Sequence, residues 1–369
     1  MSFVEKRFCF TCKLDTEQLK KKNKKLKTCS FCQIAQYCGQ ECQRLDFKGT
    51  HKLFCIQGFK HHHDLGEKAK KILTEKGHDV DRSSLQEFYN ENDGIFQCIK
   101  KSNFEFTHDL DAFRNLPLNF NFDLGQVFLT YINCKNYSVV SMDLISRQHE
   151  SYHGLQMTLE ANLEVMMSLQ PDQMYFRGFV PIHLIQLGQD DEAYNFIKFW
   201  LKNTPKGQDF TVGEEGLFPD LPFKEHTMKD QDKNEDIFEA LGIKFADKPY
   251  FIYITFYVCL AIIKKNNYCA TKDKNQLGLF IKYLGYVKKH FGNILKNGLL
   301  LPPISAQNEN PFQRFTPQTI PAKYGLKRGV FPIATVQTFA SDFVHTCIDD
   351  LNSYLIRAPD VREGLVDCL

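Results

Sequence analysis

The strongest constraint on this chain is a set of eight side chains crowded into residues 9–55: Cys9, Cys12, Cys29, Cys32, Cys38, Cys42, His51 and Cys55. They come in pairs. Cys9-x2-Cys12 and Cys29-x2-Cys32 have knuckle spacing, in which a tight turn aims both sulfurs at one ion. Cys38-x3-Cys42 and His51-x3-Cys55 are i, i+4 pairs, which share one face of a helical turn. Eight donors are twice the four that a closed tetrahedral site takes. A set dominated by thiolates selects a soft or borderline ion, and zinc fits it better than calcium or magnesium. The other six of the 13 cysteines (Cys98, Cys134, Cys259, Cys269, Cys347, Cys368) are scattered and read as ordinary free thiols.

Spacing alone leaves the grouping open. Sequential pairing joins the first four cysteines on one ion. Interleaved pairing joins Cys9, Cys12, Cys38 and Cys42, with Cys29, Cys32, His51 and Cys55 as the second set. The order of ligands, with Tyr37 before the fifth cysteine and CQRLDF running from the sixth, resembles the MYND zinc finger. The resemblance implies two zinc ions held in the interleaved, cross-braced arrangement. It also implies a surface for short proline-containing peptides of partner proteins, formed by Ser30, Gln43 and Phe47. An extended peptide presents backbone groups for Ser and Gln to bond, and an aromatic face packs on proline rings. Two departures stand out: Phe47 occupies a position where the family usually has Trp, and the Cys42–His51 gap is longer than its commonest form. Neither touches a ligand.

A module of this size has little apolar surface of its own, and structural zinc contributes ~10–16 kcal/mol of apparent binding energy. Four protein ligands per ion leave no open position for water or substrate, so these zincs hold shape.

Charge is uneven. Residues 1–60 carry 13 Lys and Arg against 5 Asp and Glu, whereas the whole chain is only +2. The run KKKNKKLK (20–27) reads as a solvated loop, or as a contact for acidic protein or nucleic-acid surfaces. No aromatics interleave with the lysines from Lys20 to Lys27, which weakens the nucleic-acid case. No signal peptide is expected, because Cys9 arrives before an apolar leader could fit. The longest apolar run, 251–263, is shorter than the ~20 residues that cross a bilayer, and reads as a buried helix. Clustered thiols without a secretory signal suit a reducing compartment, cytoplasm or nucleus.

The expected organisation is a zinc finger over 1–58, a helical connector and Phe-rich irregular segment over 59–147, and an α-helical, repeat-like domain over 148–369. His61, His62 and His63 read as a solvated helix start. Residues 104–147 show no clear period and read as irregular. Leu155, Leu159, Leu163 and Met166 mark one face of a helix. A second helix runs through Val180, Leu184 and Leu187 to a stop at Gly188. A third, with Asp190, Asp191 and Glu192 at its N-terminus, buries Tyr194, Ile197 and Trp200 or Leu201. The first and third begin about 35 residues apart, close to the ~34-residue tetratricopeptide period. Further helices are expected at 234–245, 250–265, 276–296 and 334–357, with a Pro-rich loop at 302–321. The fold class is thus mainly α: a small cross-braced two-zinc finger followed by a helical-hairpin, tetratricopeptide-like domain.

His149-Glu150-Ser151-Tyr152-His153 spells the H-E-x-x-H of zinc metalloproteases, where two histidines one turn apart bind zinc and the Glu activates water. The metzincin extension is missing, since Gln156 stands where its Gly belongs, and Arg147 and Gly154 flank the motif unfavourably for a buried catalytic helix. No G-x-G, Gly-Lys or G-x-S-x-G occurs, which removes the usual cofactor, phosphate and hydrolase loops. The stretch around His345 and Cys347 lacks the Asn and Pro-Asn that a lysine methyltransferase of the SET type carries. The expected function is a non-enzymatic adaptor. The alternatives are a divergent methyltransferase or H-E-x-x-H protease, and a constitutive subunit of a larger assembly whose finger is purely structural.

Overall fold

The computed structural model describes residues 7–77, 124–168, 176–203, 229–242 and 254–299, and every element below lies within them. The expected helix at 334–357 and the Pro-rich loop at 302–321 fall outside the described residues.

Helix α1 (Thr16–Lys21) starts at Asp15, whose carboxylate accepts from the Gln18 N–H at 2.8 Å while the Gln18 side chain accepts from the Asp15 N–H at 3.2 Å. This reciprocal capping box satisfies two otherwise orphaned donors. The expected lysine loop is therefore partly helical, with Lys20 and Lys21 in its last turn, and its lysines remain exposed. Strands β1 (Lys27–Thr28) and β2 (Gln36–Tyr37) pair antiparallel, Lys27 opposite Tyr37 and Thr28 opposite Gln36. Helix α2 (Gln40–Asp46) follows, then two π-helical segments, Phe47–His51 and Leu53–Lys60. Gly49 leaves helical geometry inside the first (φ −84°, ψ −123°). The chain therefore kinks between Cys42 and His51.

The rest of the described chain is helical. Helix α3 (His61–Glu75) buries His62, Gly66, Ala69 and Leu73. His62 is not solvated as expected: its ring stacks on Tyr137, with centroids 4.8 Å apart. Tyr137 belongs to α4 (Leu124–Gln148), a 25-residue helix covering much of the stretch that had read as irregular. The period was hidden because α4 is covered on several sides. Its C-terminal run from Ser141 to Arg147 is buried continuously, so no polar face marks it.

Helices α5 (Tyr152–Ser168), α6 (Val180–Gln186) and α7 (Asp190–Asn203) match the expected apolar pattern. Leu155, Leu159 and Met166 are buried on α5, and Tyr194, Ile197, Trp200 and Leu201 are all buried on α7. The stop after α6 is a Schellman motif. Gly188 takes φ +76°, its N–H reaches Ile185 O at 3.0 Å, and the Gln189 N–H reaches Leu184 O at 2.8 Å.

Helices α8 (Ile237–Leu241), α9 (Ile254–Thr271) and α10 (Lys274–Leu299) complete the described body. Helix α9 is buried without interruption from Thr255 to Lys264, packed against α6, α7 and α10. It is a core helix, and no described helix is long and apolar enough to cross a membrane.

Two apolar clusters result. The larger gathers residues of α3 to α10. The smaller unites Ile34, Ala35, Tyr37 and Phe54 of the N-terminal module with Met142, Leu144 and Ile145 of α4. Helix α4 therefore belongs to both cores. It ties the module to the body.

Candidate metal centre

Both knuckles fold the same way. Lys13 and Gln33, each just after the second cysteine of its pair, adopt positive φ (+58° and +56°). Their N–H groups donate to Cys9 O and Cys29 O at 2.8 and 3.0 Å, closing each turn. The chain thus turns back on itself immediately after each pair, leaving both sulfurs on the inside. Thr11 Oγ1 donates to Cys42 O at 2.8 Å and fastens the first knuckle to α2.

The eight side chains assemble as two interleaved sets. Cys9, Cys12, Cys38 and Cys42 form one, and Cys29, Cys32, His51 and Cys55 the other, with ligand atoms in each set within 4.8 Å of one another. In the first, Cys12 and Cys38 sulfurs lie 3.6 Å apart, and Cys38 and Cys42 sulfurs 3.5 Å. In the second, Cys29 and Cys55 sulfurs are 3.8 Å apart, and His51 Nε2 is 3.9 Å from the Cys32 sulfur. A tetrahedron with Zn–S bonds of ~2.3 Å has edges of ~3.8 Å. The donor sets match a zinc ion in size. The separations are far beyond the ~2.05 Å of a disulfide, so the thiols are free.

Charge makes the same case. Without a cation, four sulfurs this close cannot all be thiolates, because each ionised sulfur opposes the next. Burial raises the Cys9 thiol, but N–H groups of Cys12 and Cys38 outweigh it and bring it down to about 7. Cys42 is pushed up by burial and by its bonds to Cys38 and Cys9. In the second set, hydrogen bonds from Cys32 and Cys55 hold Cys29 far down, while Cys55 is raised by its bonds to Cys29 and Cys32. A divalent ion relieves that opposition. It would bind all four donors of each set and hold shape, with no further position offered by these residues.

A carboxylate backs the second set. Tyr37 donates its hydroxyl to Asp46 Oδ2 at 2.6 Å. The same oxygen is 4.0 Å from His51 Nδ1, the ring atom turned away from the sulfurs, and 3.4 Å from His149 Nε2. Burial raises the Asp46 carboxyl, opposed by the Tyr37 bond and by His51. Burial, and then His51 and Lys13, press the His149 imidazole well below its ordinary range, so it stays neutral.

That placement separates the residues of the H-E-x-x-H motif. Helix α4 ends at Gln148, Glu150 adopts φ +49°, and α5 begins at Tyr152, so the motif spans a helix–helix turn. His149 is buried against Phe10, with ring centroids 4.1 Å apart, while His153 and Glu150 are exposed. The two histidines share no metal-binding group among the described residues.

Of the residues expected to contact a peptide, Ser30 is exposed, and Gln43 and Phe47 are half-buried. The Phe47 ring leans on His51, with centroids 6.3 Å apart. Asp46 was not singled out from sequence, and His149 only as part of the H-E-x-x-H motif. A carboxylate five residues before a histidine ligand was the available signal for Asp46; nothing local marked the place of His149 beside the finger.

These features define a closed, interleaved two-site Cys/His metal module. Residues 9–55 match the MYND finger family, a span that begins at the first ligand and ends at the last. The chain thus carries a zinc-binding MYND finger at residues 9–55, followed by a mainly helical region. No curated protein and no solved structure matches it.

Proposed function

We propose that this protein is a two-zinc interaction adaptor whose finger captures proline-containing segments of partner proteins, with the helical body presenting a second surface. The observation that carries this reading is the MYND finger itself, whose eight donors all fall into its two closed metal sets, so that partners would be met by its other side chains. Its solvent-facing chemistry supports the peptide site. Among the described residues, Phe31 and Leu45 are two of the three large hydrophobics more than 40% exposed, and they sit beside Ser30 and two residues from Gln43. Lys60 lies over the Phe31 ring at 5.7 Å. Phe47 lacks the indole N–H of Trp, so altered specificity is expected rather than a lost groove. The reading assigns no catalytic step to the chain.

An immobilised array of proline-containing decapeptides, probed with the full chain, tests this. Gln43→Ala and Phe47→Ala should weaken capture while both zincs stay bound. Capture that survives both changes would move the interaction to the helical region. A second reading, a permanent subunit with a purely structural finger, is favoured by the buried contact between the finger and α4. Copurification at fixed stoichiometry separates it from the first.

A further inference from the structure

The finger supplies all four donors of its second metal site, but a side chain from outside the finger stands behind one of them. Asp46 stands behind His51, and the side chain closing the far side of that carboxylate comes from the helical body, more than ninety residues later in the chain. His149 is 5% exposed, and its ring meets Phe10, Tyr37 and His51 at centroid distances of 4.1, 6.0 and 5.1 Å. Both ring nitrogens are buried without a hydrogen bond, and so is His51 Nδ1; the carboxylate oxygen Asp46 Oδ2 lies between them, 3.4 Å from His149 Nε2 and 4.0 Å from His51 Nδ1. A metal-ligating histidine is held in tautomer and orientation by the carboxylate on its other nitrogen, and that carboxylate by its own partners.

We propose that His149 is a positioning residue for the His51 zinc site: its Nε2–H donates to Asp46, and Asp46 in turn orients His51 through Nδ1. Asp46 is then held by two donors, the Tyr37 hydroxyl from inside the finger and His149 from outside it, with His51 Nδ1 4.0 Å from the same oxygen. The Cys29/Cys32/His51/Cys55 site therefore retains its ion fully only when the end of α4 is docked. The Cys9/Cys12/Cys38/Cys42 site has no such dependence. A third metal on Asp46, His51 and His149 is disfavoured. It would need His51 to bridge two ions as an imidazolate and would leave the Tyr37 hydroxyl facing a cation. The inference rests on the two-zinc reading, which the wild-type zinc content tests separately.

The experiment uses the full chain and its own metal. Zinc release to a chromogenic chelator is followed in wild type, His149→Phe, His149→Gln and Asp46→Asn, together with the visible d–d spectrum of the cobalt-substituted proteins. His149→Phe keeps a ring against Phe10 and Tyr37 but removes the donor; His149→Gln keeps a donor. One of the two zincs should leave ~10-fold or more faster in His149→Phe and in Asp46→Asn, the other at the wild-type rate. The cobalt spectrum of the Cys3His site should shift in the same variants, and His149→Gln should recover most of both effects. The Asp46→Asn/His149→Phe double variant should lose no more than the larger single change, because both cut one chain of contacts. Wild-type release and spectrum in His149→Phe would overturn the proposal. So would equal loosening of both zincs in the Phe and Gln variants, which marks simple packing. A third ion in wild type that His149→Phe removes would overturn it too.

Discussion

Single residues in this protein act through what surrounds them. Asp143 on α4 shows this best: Arg147 Nη2 meets one carboxylate oxygen at 2.5 Å and His183 Nε2 of α6 meets the other at 3.0 Å, all three side chains being nearly inaccessible. Asn162 of α5 reaches the remaining His183 nitrogen at 3.1 Å. Charges in such a place hold only in partnership. Asp143→Ala should lower unfolding stability by about 3 kcal/mol, measured by urea denaturation, since removing one member of a buried pair strands the other. His153, in the first turn of α5 and exposed, is the contrast. His153→Ala should leave zinc content unchanged and alter stability by less than about 0.5 kcal/mol. Equal losses at His153 and Asp143 would contradict this assignment of burial.

Elements meet at points where the local rule and the tertiary rule conflict. Gly154 lies in the first turn of α5, where alanine normally improves a helix by ~1 kcal/mol. Here an added Cβ would come within 2.5 Å of both Ile34 Cγ2 of the finger and Ser146 Oγ of α4. Ile34 is fully buried, and Ser146 is held by Met142 O at 2.7 Å, so neither yields easily. Overpacking of this kind costs ~1–3 kcal/mol. Gly154→Ala should therefore lower the melting temperature, and Gly154→Ala with Ile34→Ala should lose less than the sum of the single changes.

Helix α8 offers a second element-scale prediction. Asp236 caps it, accepting from the Phe238 N–H at 3.1 Å, and also takes the Tyr283 hydroxyl at 3.0 Å and the Lys282 ammonium. Burial alone would raise this carboxyl, but Lys282, the Phe238 N–H and Tyr283 outweigh it and hold it below its usual value. A depressed carboxyl contributes its stability above its unfolded pKa of about 4 and loses it as pH falls through the folded value. Asn caps nearly as well as Asp. The stability gap between wild type and Asp236→Asn should be widest near pH 6 and close in acid. Acid release of zinc is common to both chains and cancels in the difference. A gap constant down to pH 3 would refute the ion-pair assignment.

At the scale of the whole molecule, α4 belongs to the core of the finger and to the core of the body. Metal removal should then be felt beyond residue 55. Chelation of the full chain should release hydrogen-exchange protection in the finger and also at Met142, Leu144 and Ile145, whose partners include Ile34 and Phe54. Protection unchanged in α4 would mean that the finger opens independently of the body.

Much of this was legible in the amino-acid order because it depends on near neighbours. Ligand spacing named the eight donors, and the turn after each knuckle is local chemistry. The apolar period of α5, the acidic start of α7 and the Gly188 stop all lie within one or two turns of the residues that cause them. The grouping of ligands did not follow from spacing, because interleaving is a choice between two closures of the same loops; geometry, and the family likeness, made it. Helix α4 escaped because burial on several sides erased its period, and His62 because its partner Tyr137 lies 75 residues away. His149 escaped for the same reason: a five-letter motif suggested a partner one turn on, whereas its partner is a carboxylate more than a hundred residues back. Sequence determined which side chains can bind metal and which segments can be helical. Only the tertiary structure decided which of them meet, because contacts between distant segments are fixed by packing and leave no local trace.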